Sequence, residues 1–185
     1  MAMTALRKPT KEEIQAAVGK TVPDLIAPNL HVLFCGINPS LYSAVVRYHF
    51  ARPGNRFWRT LHAAGFTERL LSPSENSDLL QRGYGITNIV ERATARADEL
   101  AAAELIVGWQ QLAVKVQHYR PQCVAVLGIS AYRTVFNQKA VMGRQSELLS
   151  GATLWVLPNP SGLNAHYQLE DLKRAYRDLL IAVKK

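Results

Sequence analysis

Two apolar runs, each followed by a loop of small and amide residues, constrain the fold of this chain most. His31–Cys35 leads into the loop Gly36–Ser40, and Thr153–Leu157 leads through Pro158 into the loop Asn159–Asn164. Continuous apolar, β-branched runs of this length are typical of parallel strands that are buried on both faces. Ligands of open α/β sheets bind at the carboxyl edge, where such strands end. We therefore expect the two loops to meet across one crevice.

The distribution of charge indicates a polyanionic partner. The 185 residues include 22 Lys and Arg against 14 Asp and Glu, which gives a net charge of +8 at pH 7. Residues 25–67 and 105–146 contain several basic side chains and no acidic one. Such a field attracts the phosphates of nucleic acids. The alternative is a basic surface that contacts only solvent.

Cysteine usage predicts a reducing, cytoplasmic compartment. Cys35 and Cys123 each lie in an apolar run, which favours buried free thiols. Two cysteines without a Cys/His cluster argue against zinc, and we expect no metal or other cofactor. No apolar stretch reaches the ~18 residues of a membrane span, and the first residues lack the apolar segment of a secretory signal.

Strands alternate with helices along the chain. We predict strands at His31–Gly36, Gly85–Val90, Cys123–Leu127 and Thr153–Leu157, and helices at Asn55–Ala64, Pro73–Gln81, Asp98–His118, Ser130–Asn137 and Leu169–Val183, with Asp98 and Ser130 as N-caps. Residues 37–54 are predicted to be a loop. This alternation indicates an α/β doubly wound sandwich over residues 23–185, preceded by a partly disordered tail, 1–22, with one short helix.

Common catalytic motifs are absent from the sequence. No Gly-x-Gly-x-x-Gly or Gly-Lys-Ser/Thr follows the first strand, which disfavours dinucleotide and Walker-type phosphate sites. No Gly-x-Ser-x-Gly occurs, which removes the commonest serine hydrolase. The remaining chemistry is that of amides and loops.

Three segments stand in a fixed order: Gly-Ile-Asn-Pro at 36–39, Phe-Ala-Arg-Pro-Gly-Asn-Arg-Phe-Trp at 50–58, and Leu-Pro-Asn-Pro-Ser-Gly-Leu at 157–163. They resemble the mismatch-specific uracil-DNA glycosylase (Mug) family, bacterial relatives of thymine-DNA glycosylase, and the resemblance runs from about Asp24 to Ala182. It implies the uracil-DNA glycosylase fold, a three-layer sandwich with a short, mainly parallel central sheet. It also implies an enzyme that excises uracil, or ethenocytosine, thymine or another modified pyrimidine, opposite guanine to start base excision repair. We expect the enzyme to be monofunctional, because no lysine or N-terminal amine lies in a motif for Schiff-base chemistry.

The resemblance implies that Asn38 positions the attacking water. An amide orients water through its carbonyl oxygen but cannot take its proton at pH 7. The reaction must then depend on an oxocarbenium-like sugar and on stabilisation of the departing uracil anion, for which backbone N–H groups near Ile37 and Asn38 are the expected donors. We expect slow turnover and slower product release. The alternative is that Asn38 only holds its own turn.

Four further residues are expected to form the base pocket. Phe50 matches the aromatic that stacks on the extruded base, although a core phenylalanine is the simpler interpretation in isolation. Ser43 and Ala44 are small and fall where the family shapes the pocket near the pyrimidine 5-position. Asn88, at a predicted strand end, is expected to hydrogen-bond the uracil edge; the alternative is an amide that caps the strand.

Extrusion of a nucleotide leaves a gap in the duplex. By the resemblance, Leu163 fills that gap as an apolar wedge, and Gly162 and Asn164 face the orphaned guanine. Without the resemblance, a leucine exposed on a loop or buried beneath it is the simpler interpretation. Ala165-His166 follows where the family leads us to expect a basic residue, which leaves the preferred opposite base open.

The rim of the site is predicted from the segment Glu91–Thr94 and from basic residues. Glu91 is the nearest candidate for a second carboxylate, and we expect it to form a salt bridge with Arg92 or Arg96. Ala93 brings no polar group to its position. The candidates for phosphate contacts are Arg47, Arg52, Lys139 and Ser161.

Two other functions stay open: a mismatch-binding module with negligible catalysis, and a hydrolase or transferase that acts on free nucleotides. For the leading hypothesis, the expected partners are double-stranded DNA with a mismatched or damaged pyrimidine and the enzymes that process abasic sites. We expect a monomer in the bacterial cytoplasm that associates with the nucleoid through DNA.

Overall fold

Four buried runs form the parallel part of one five-stranded sheet in the computed structural model, which describes residues 7–184. They are β1 (Val32–Gly36), β2 (Tyr84–Asn88), β3 (Cys123–Leu127) and β5 (Ala152–Leu157). The order across the sheet is β2-β1-β3-β5-β4. The four parallel strands all end at one edge, which brings their following loops together.

The remaining strand, β4 (Gly143–Leu149), pairs antiparallel with β5 at the edge of the sheet. It is joined to β5 through Ser150 and Gly151, whose φ angles of 47° and 92° are those of a tight hairpin turn. Only alternate residues of β4 are shielded, because one face and one edge meet solvent. Its polar sequence hid this strand from the analysis of apolar runs.

The helices are α1 (Lys11–Gln15), α2 (Leu41–Val46), α3 (Phe57–Ala64), α4 (Asn76–Gln81), α5 (Ala102–Tyr119), α6 (Ile129–Val135) and α7 (Leu169–Val183), with short 3-10 turns at Pro73–Glu75 and Ala97–Glu99. α3 and α7 cover one face of the sheet, and α5 and α6 cover the other. Alternate residues of β1 supply the two cores: Phe34 packs on the α3 side and Cys35 on the α5 side. The expected three-layer α/β sandwich is confirmed.

Three predicted local features were wrong. α2 occupies part of the predicted loop 37–54, because Ser40 accepts a hydrogen bond from the Ser43 N–H and caps it. Asp98 does not cap α5; its carboxylate pairs with Arg96, and the helix starts at Ala102. Ser130 lies inside α6, which begins directly after Gly128.

The described part of the N-terminal segment packs against the domain. Thr10 caps α1, and its hydroxyl accepts from the Glu13 N–H at 3.2 Å. Beyond the helix, Gly19 donates to the Ala93 carbonyl at 3.0 Å, and Ala93 donates to the Lys20 carbonyl at 2.8 Å. The segment therefore supports residues 91–94 from behind. The first six residues of the predicted tail lie outside the described part.

Both cysteines are buried and free, as predicted. Burial raises the pKa of the Cys123 thiol to about 11, and that of Cys35 is raised further. Neither thiol is a nucleophile at neutral pH, because the reactive species is the thiolate. Among residues 7–184, no helix is long and apolar enough to cross a bilayer.

Candidate active site

The two loops singled out in the sequence do meet, at the carboxyl edge of the sheet. They line a cleft of about 630 Å³ together with residues after β2 and β3. The predicted site residues that line it are Ile37, Asn38, Ser43, Phe50, Arg52, Asn88, Ser161, Leu163 and Asn164. A space of this size and lining accommodates a ring the size of a pyrimidine with its sugar.

The amide of Asn38 is held in one orientation. Its Nδ2 donates to the Arg92 carbonyl at 3.0 Å and to Thr94 Oγ1 at 2.7 Å. The Thr94 hydroxyl donates in turn to the Arg96 carbonyl at 2.7 Å, so it meets Asn38 with a lone pair. Asn38 Oδ1 is the acceptor left over, and nothing in residues 7–184 donates to it. This is the geometry required to bind a water molecule through oxygen.

Thr94 belongs to the segment Glu91–Thr94 that was predicted at the rim, but its contact with Asn38 was not predicted. It is buried and lines the cleft, and its hydroxyl accepts a hydrogen bond from Asn38 Nδ2. Its backbone N–H also donates to the Pro39 carbonyl at 3.3 Å. The available signal was a hydroxyl residue after the second predicted strand, but only the fold shows which loop it meets.

Backbone donors lie beside the Asn38 amide. The carbonyls of Gly36 and Ile37 accept from the Ile89 and Val90 N–H groups at 2.9 Å, which fixes the loop to the end of β2. In the described chain, the N–H groups of Ile37 and Asn38 have no acceptor. Two free N–H groups at a strand end can stabilise an anion.

Phe50 lies in the cleft on a strained backbone. Its φ is 54°, which a bulky residue rarely adopts. One face of its ring stacks on Phe57, with centroids 4.1 Å apart. Hydrogen bonds to the two neighbouring residues fix this backbone conformation. Trp58 Nε1 donates to the His49 carbonyl at 3.1 Å, and the Ala51 N–H donates to Ser43 Oγ at 3.1 Å. The ring is thereby fixed as an aromatic wall.

Ser43 and Ala44 have different positions. Ser43 is buried and lines the cleft, and its hydroxyl supports the Phe50 segment through the Ala51 N–H. Ala44 lies outside the cleft lining, in a small core with Ala17 and Leu41, contrary to the expectation that it shapes the pocket. Successive residues of a helix point about 100° apart, so Ala44 faces this core while Ser43 faces the cleft.

Asn88 is oriented by a buried histidine. His49 Nε2 lies 2.9 Å from the Pro23 carbonyl, which can only accept, so Nε2 carries the hydrogen. Burial lowers the pKa of His49, so its ring is neutral at pH 7 and its Nδ1 accepts from Asn88 Nδ2 at 3.3 Å. Asn88 Oδ1 then lies over Gly36, where a Cβ would be only 2.5 Å away. No sequence motif indicates this role of His49.

The loop that carries Leu163 is built on amide contacts. Asn159 Oδ1 accepts from the Ser161 N–H at 2.9 Å, and its carbonyl accepts from Asn164 Nδ2 at 3.0 Å. Leu163 stands 71% exposed at the mouth of the cleft, an unusual state for a large apolar side chain. Gly162, beside it, is exposed but outside the cleft lining.

The acidic residues differ from expectation. Glu91 pairs with Lys115 at 3.3 Å instead of with Arg92 or Arg96, and it does not line the cleft. Within residues 7–184, the carboxylate that does line the cleft is Asp98, on the rim. Its ion pair with Arg96 at 2.7 Å lowers the pKa of the Asp98 carboxyl group, so Asp98 remains ionised and bound to Arg96.

The remaining rim candidates separate into two groups. Arg52 and Ser161 line the cleft, where an exposed guanidinium and a hydroxyl can contact phosphate. Arg47 ends α2 in a left-handed conformation, and Lys139 lies in an exposed turn; neither lines the cleft. Ala93 is fully buried, so it belongs to the core and not to the rim. In the described residues, no cluster of His, Cys, Asp and Glu could hold a metal ion.

Comparisons with known proteins agree with this fold. Residues 23–180 match the model of the family described as the Uracil DNA glycosylase superfamily. A solution NMR structure of a candidate uracil DNA glycosylase from Methanosarcina acetivorans has a similar fold, with a TM-score of 0.59 and 18% sequence identity over 88% of this chain and 99% of that chain. At that identity the likeness shows the fold alone, whereas the family match extends over most of the sequence. The chain belongs to the uracil DNA glycosylase superfamily.

Proposed function

We propose that the protein is a monofunctional, mismatch-specific DNA glycosylase of the Mug type, which excises uracil or a related pyrimidine opposite guanine. The family match supports DNA glycosylase activity in general. The observation that carries the narrower proposal is the fixed Asn38 amide, which turns its Oδ1 into the cleft as a free acceptor. An amide in this place orients water without accepting its proton.

The proposed reaction proceeds by departure of the base. The N-glycosidic bond stretches, the sugar gains oxocarbenium character, and negative charge develops on the uracil ring. The free N–H groups of Ile37 and Asn38 stabilise this charge. Water held by Asn38 Oδ1 then attacks the sugar carbon and loses its proton to solvent. Asp98 takes no part as a base, because it is paired with Arg96.

The proposed base pocket reads the pyrimidine from two directions. Phe50 stacks on the ring, and Asn88 offers its amide to the Watson–Crick edge. Because His49 accepts one Asn88 N–H, the orientation of this amide is set before substrate binds. An oriented amide discriminates between bases better than a free one, since the wrong edge leaves a buried group unpaired.

The proposed substrate is a duplex. Leu163 is exposed at the cleft mouth and is the apolar side chain placed to enter the base stack. Arg52 lies beside the cleft within an acid-free part of the sequence and is placed to contact a phosphate. Extrusion costs a few kcal/mol and least for a mismatched pair, which favours G·U over A·U.

No lysine lines the cleft in the described chain, and Lys115 is bound to Asp24 at 2.6 Å. A Schiff base with the sugar therefore lacks a nucleophile, and we expect the product to be an intact strand with an abasic site. Enzymes that process abasic sites are the proposed next partners. The proposed form is a monomer in the bacterial cytoplasm.

The test uses labelled duplexes with one G·U, A·U or G·T pair, together with single-stranded uracil DNA, followed by hot alkali. We expect alkali-dependent cleavage at G·U that is lost in Asn38→Ala. Gln111→Ala, an exposed amide on α5, is the matched control and should retain activity. Cleavage that survives in Asn38→Ala would remove Asn38 from the mechanism.

Two other outcomes would identify the alternatives. Binding of G·U duplex without release of uracil, with protein in excess over hours, would contradict the glycosylase and leave a mismatch-binding module. Release of uracil from deoxyuridine monophosphate in preference to DNA would instead indicate a nucleotide hydrolase.

A further inference from the structure

Arg56 binds the backbone of the Leu163 loop, here defined as residues 159–167. Its guanidinium donates to four carbonyl oxygens: from Nε to Pro160 at 3.4 Å, from Nη2 to Ser161 at 2.7 Å and Asn164 at 3.0 Å, and from Nη1 to Tyr167. Its backbone N–H also donates to Pro160 at 3.0 Å. All three guanidinium nitrogens are therefore engaged by one loop.

The contacts of Arg56 do not neutralise a negative charge; they bind the backbone of the loop. In the described chain no carboxylate pairs with Arg56, and its partners are carbonyls on both sides of Leu163. A planar fork of donors can bind several carbonyls at fixed angles, whereas an ammonium on a flexible stem cannot. The loop has no helix or strand of its own, so these contacts replace regular hydrogen bonding.

A second contact fixes the same loop from the side. The backbone of Gly162 lies so close to Gly54 that a Cβ on Gly162 would be 2.6 Å from the Gly54 carbonyl oxygen. Gly54 and Arg56 belong to the segment that leads into α3. The next residue, Phe57, stacks on Phe50. One short segment thus supports both the aromatic wall of the cleft and the loop with the exposed leucine.

We propose that Arg56 is a positioning residue that holds the Leu163 loop in the conformation needed to enter the DNA stack, at a set distance from the base pocket. The inference rests on the proposed function. A leucine on a mobile loop would lose conformational entropy on insertion, whereas a loop already held by four carbonyl contacts loses little. Arg56 acts through Leu163 and touches neither the base nor the water.

The test compares Arg56→Lys with wild type on a G·U duplex and on single-stranded uracil DNA. Lysine keeps the charge but loses the fork. We expect single-turnover excision to fall about tenfold or more on the duplex and to stay within about twofold on single strands, where no stack must be entered. Arg59→Ala, which changes an exposed arginine in the first turn of α3, is the matched control.

A double-mutant cycle separates positioning from general damage. In a Leu163→Ala background we expect Arg56→Lys to cause almost no further loss on the duplex, because the side chain that it positions is gone. Additive losses, equal losses on both substrates, or a wild-type rate for Arg56→Lys on the duplex would overturn the proposal. Gly162→Ala disturbs the same loop by another route and should show the same duplex-only loss. Melting temperatures identify variants that fail to fold.

A fluorescence measurement distinguishes failure of this inference from failure of the proposed function. We would place 2-aminopurine beside 2′-fluoro-deoxyuridine, whose glycosidic bond resists hydrolysis, opposite guanine. Binding of wild type should raise the fluorescence as the stack opens, and Arg56→Lys should reduce this rise. If wild type releases no uracil from any DNA, the glycosylase proposal falls. An unchanged rise in Arg56→Lys would instead overturn the role of Arg56.

Discussion

Asn38 Nδ2 donates to Thr94 Oγ1 at 2.7 Å, across 56 positions of sequence. This contact connects the loop after β1 with the loop after β2 and decides which end of the Asn38 amide faces the cleft. An amide that is free to rotate presents nitrogen or oxygen with similar ease. Only the amide oxygen can accept a hydrogen bond from a water molecule and leave the lone pairs of that water free to face the sugar. The orientation of Asn38 is therefore a property of Thr94 as much as of Asn38.

Thr94→Val removes the acceptor with little change of shape, and it allows the Asn38 amide to turn. We expect single-turnover uracil excision from a G·U duplex to fall by about tenfold to a hundredfold, with duplex affinity almost unchanged. Thr94→Ser keeps the hydroxyl and should retain most of the rate. Equal activity of the Val and Ser variants would mean that Asn38 is held by the Arg92 carbonyl alone.

His49 predicts a pH effect on base recognition. Burial lowers the pKa of His49 below the usual 6.5, so the ring is neutral near pH 7 and gains a second proton at a lower pH than a free imidazole does. Asp24 opposes this shift and Lys115 adds to it. The added proton would sit on Nδ1 and face the Asn88 NH₂ group, which must then rotate. We expect uracil excision to be level near neutral pH and to fall as the pH is lowered.

The measurement is the rate of single-turnover excision between pH 5 and 8. His49→Asn offers a non-titrating oxygen near the place of Nδ1, and we expect the decline that is due to His49 to disappear in this variant. The same decline in both proteins would assign it to another group.

Glu104 predicts how acid affects stability. The Arg92 guanidinium, aided by the Ala101 N–H, lowers the pKa of Glu104 from 4.5 to about 2. Because the folded-state pKa is the lower one, this ion pair stabilises the fold above about pH 4.5 and loses its effect as the pH falls toward 2. We expect Glu104→Gln to unfold at lower urea than wild type at pH 6, with the difference vanishing near pH 2.

The control for that experiment is Glu68→Gln. Glu68 lies 3.4 Å from Arg82 with its side chain 87% exposed, so the pair contributes little. A difference between Glu104→Gln and wild type that persists at pH 2 would show that packing, and not charge, accounts for the loss.

The close packing around Gly36 predicts that a larger residue there lowers activity and stability. A Cβ at this position would lie 2.5 Å from Asn88 Oδ1 and 3.2 Å from Phe50 Cζ. Gly36→Ala should displace both side chains and lower excision by about tenfold or more, with a loss of stability of about 1–3 kcal/mol. Excision and urea unfolding check the two parts. A variant with wild-type activity would show that the Asn88 amide is not needed in its observed place.

Local patterns predicted most of the framework. The predicted helix Leu169–Val183 is present as α7, and the predicted helix Asn55–Ala64 is present as α3, which ends before Gly65 as predicted. β4 was missed because its residues alternate in burial and are mostly polar. The prediction of Asp98 as an N-cap was wrong because its carboxylate is bound by Arg96. The Glu104 carboxylate instead accepts a hydrogen bond from the Ala101 N–H at the start of α5.

The residue types and strand ends in the sequence predicted part of the cleft lining. Asn38 and Leu163 line one cleft because the loops after β1 and β5 start at the same edge of a parallel sheet, which apolar runs reveal. Ala44 and Glu91 lie elsewhere because neighbours in sequence point to different sides of a helix or turn. The partners of the site residues, Thr94, His49 and Arg56, could not be derived, since each acts through a contact with a distant segment.

The sequence by itself determined the four parallel strands, the main helices and the loops that form the cleft, because these follow from local periodicity and residue type. Only the tertiary structure decided how each polar group is oriented. Asn38 owes its orientation to Thr94 and Arg92, Asn88 to His49, and the Leu163 loop to Arg56. A hydrogen bond depends on ångström distances and angles between segments far apart in sequence, and those exist only once the chain has folded.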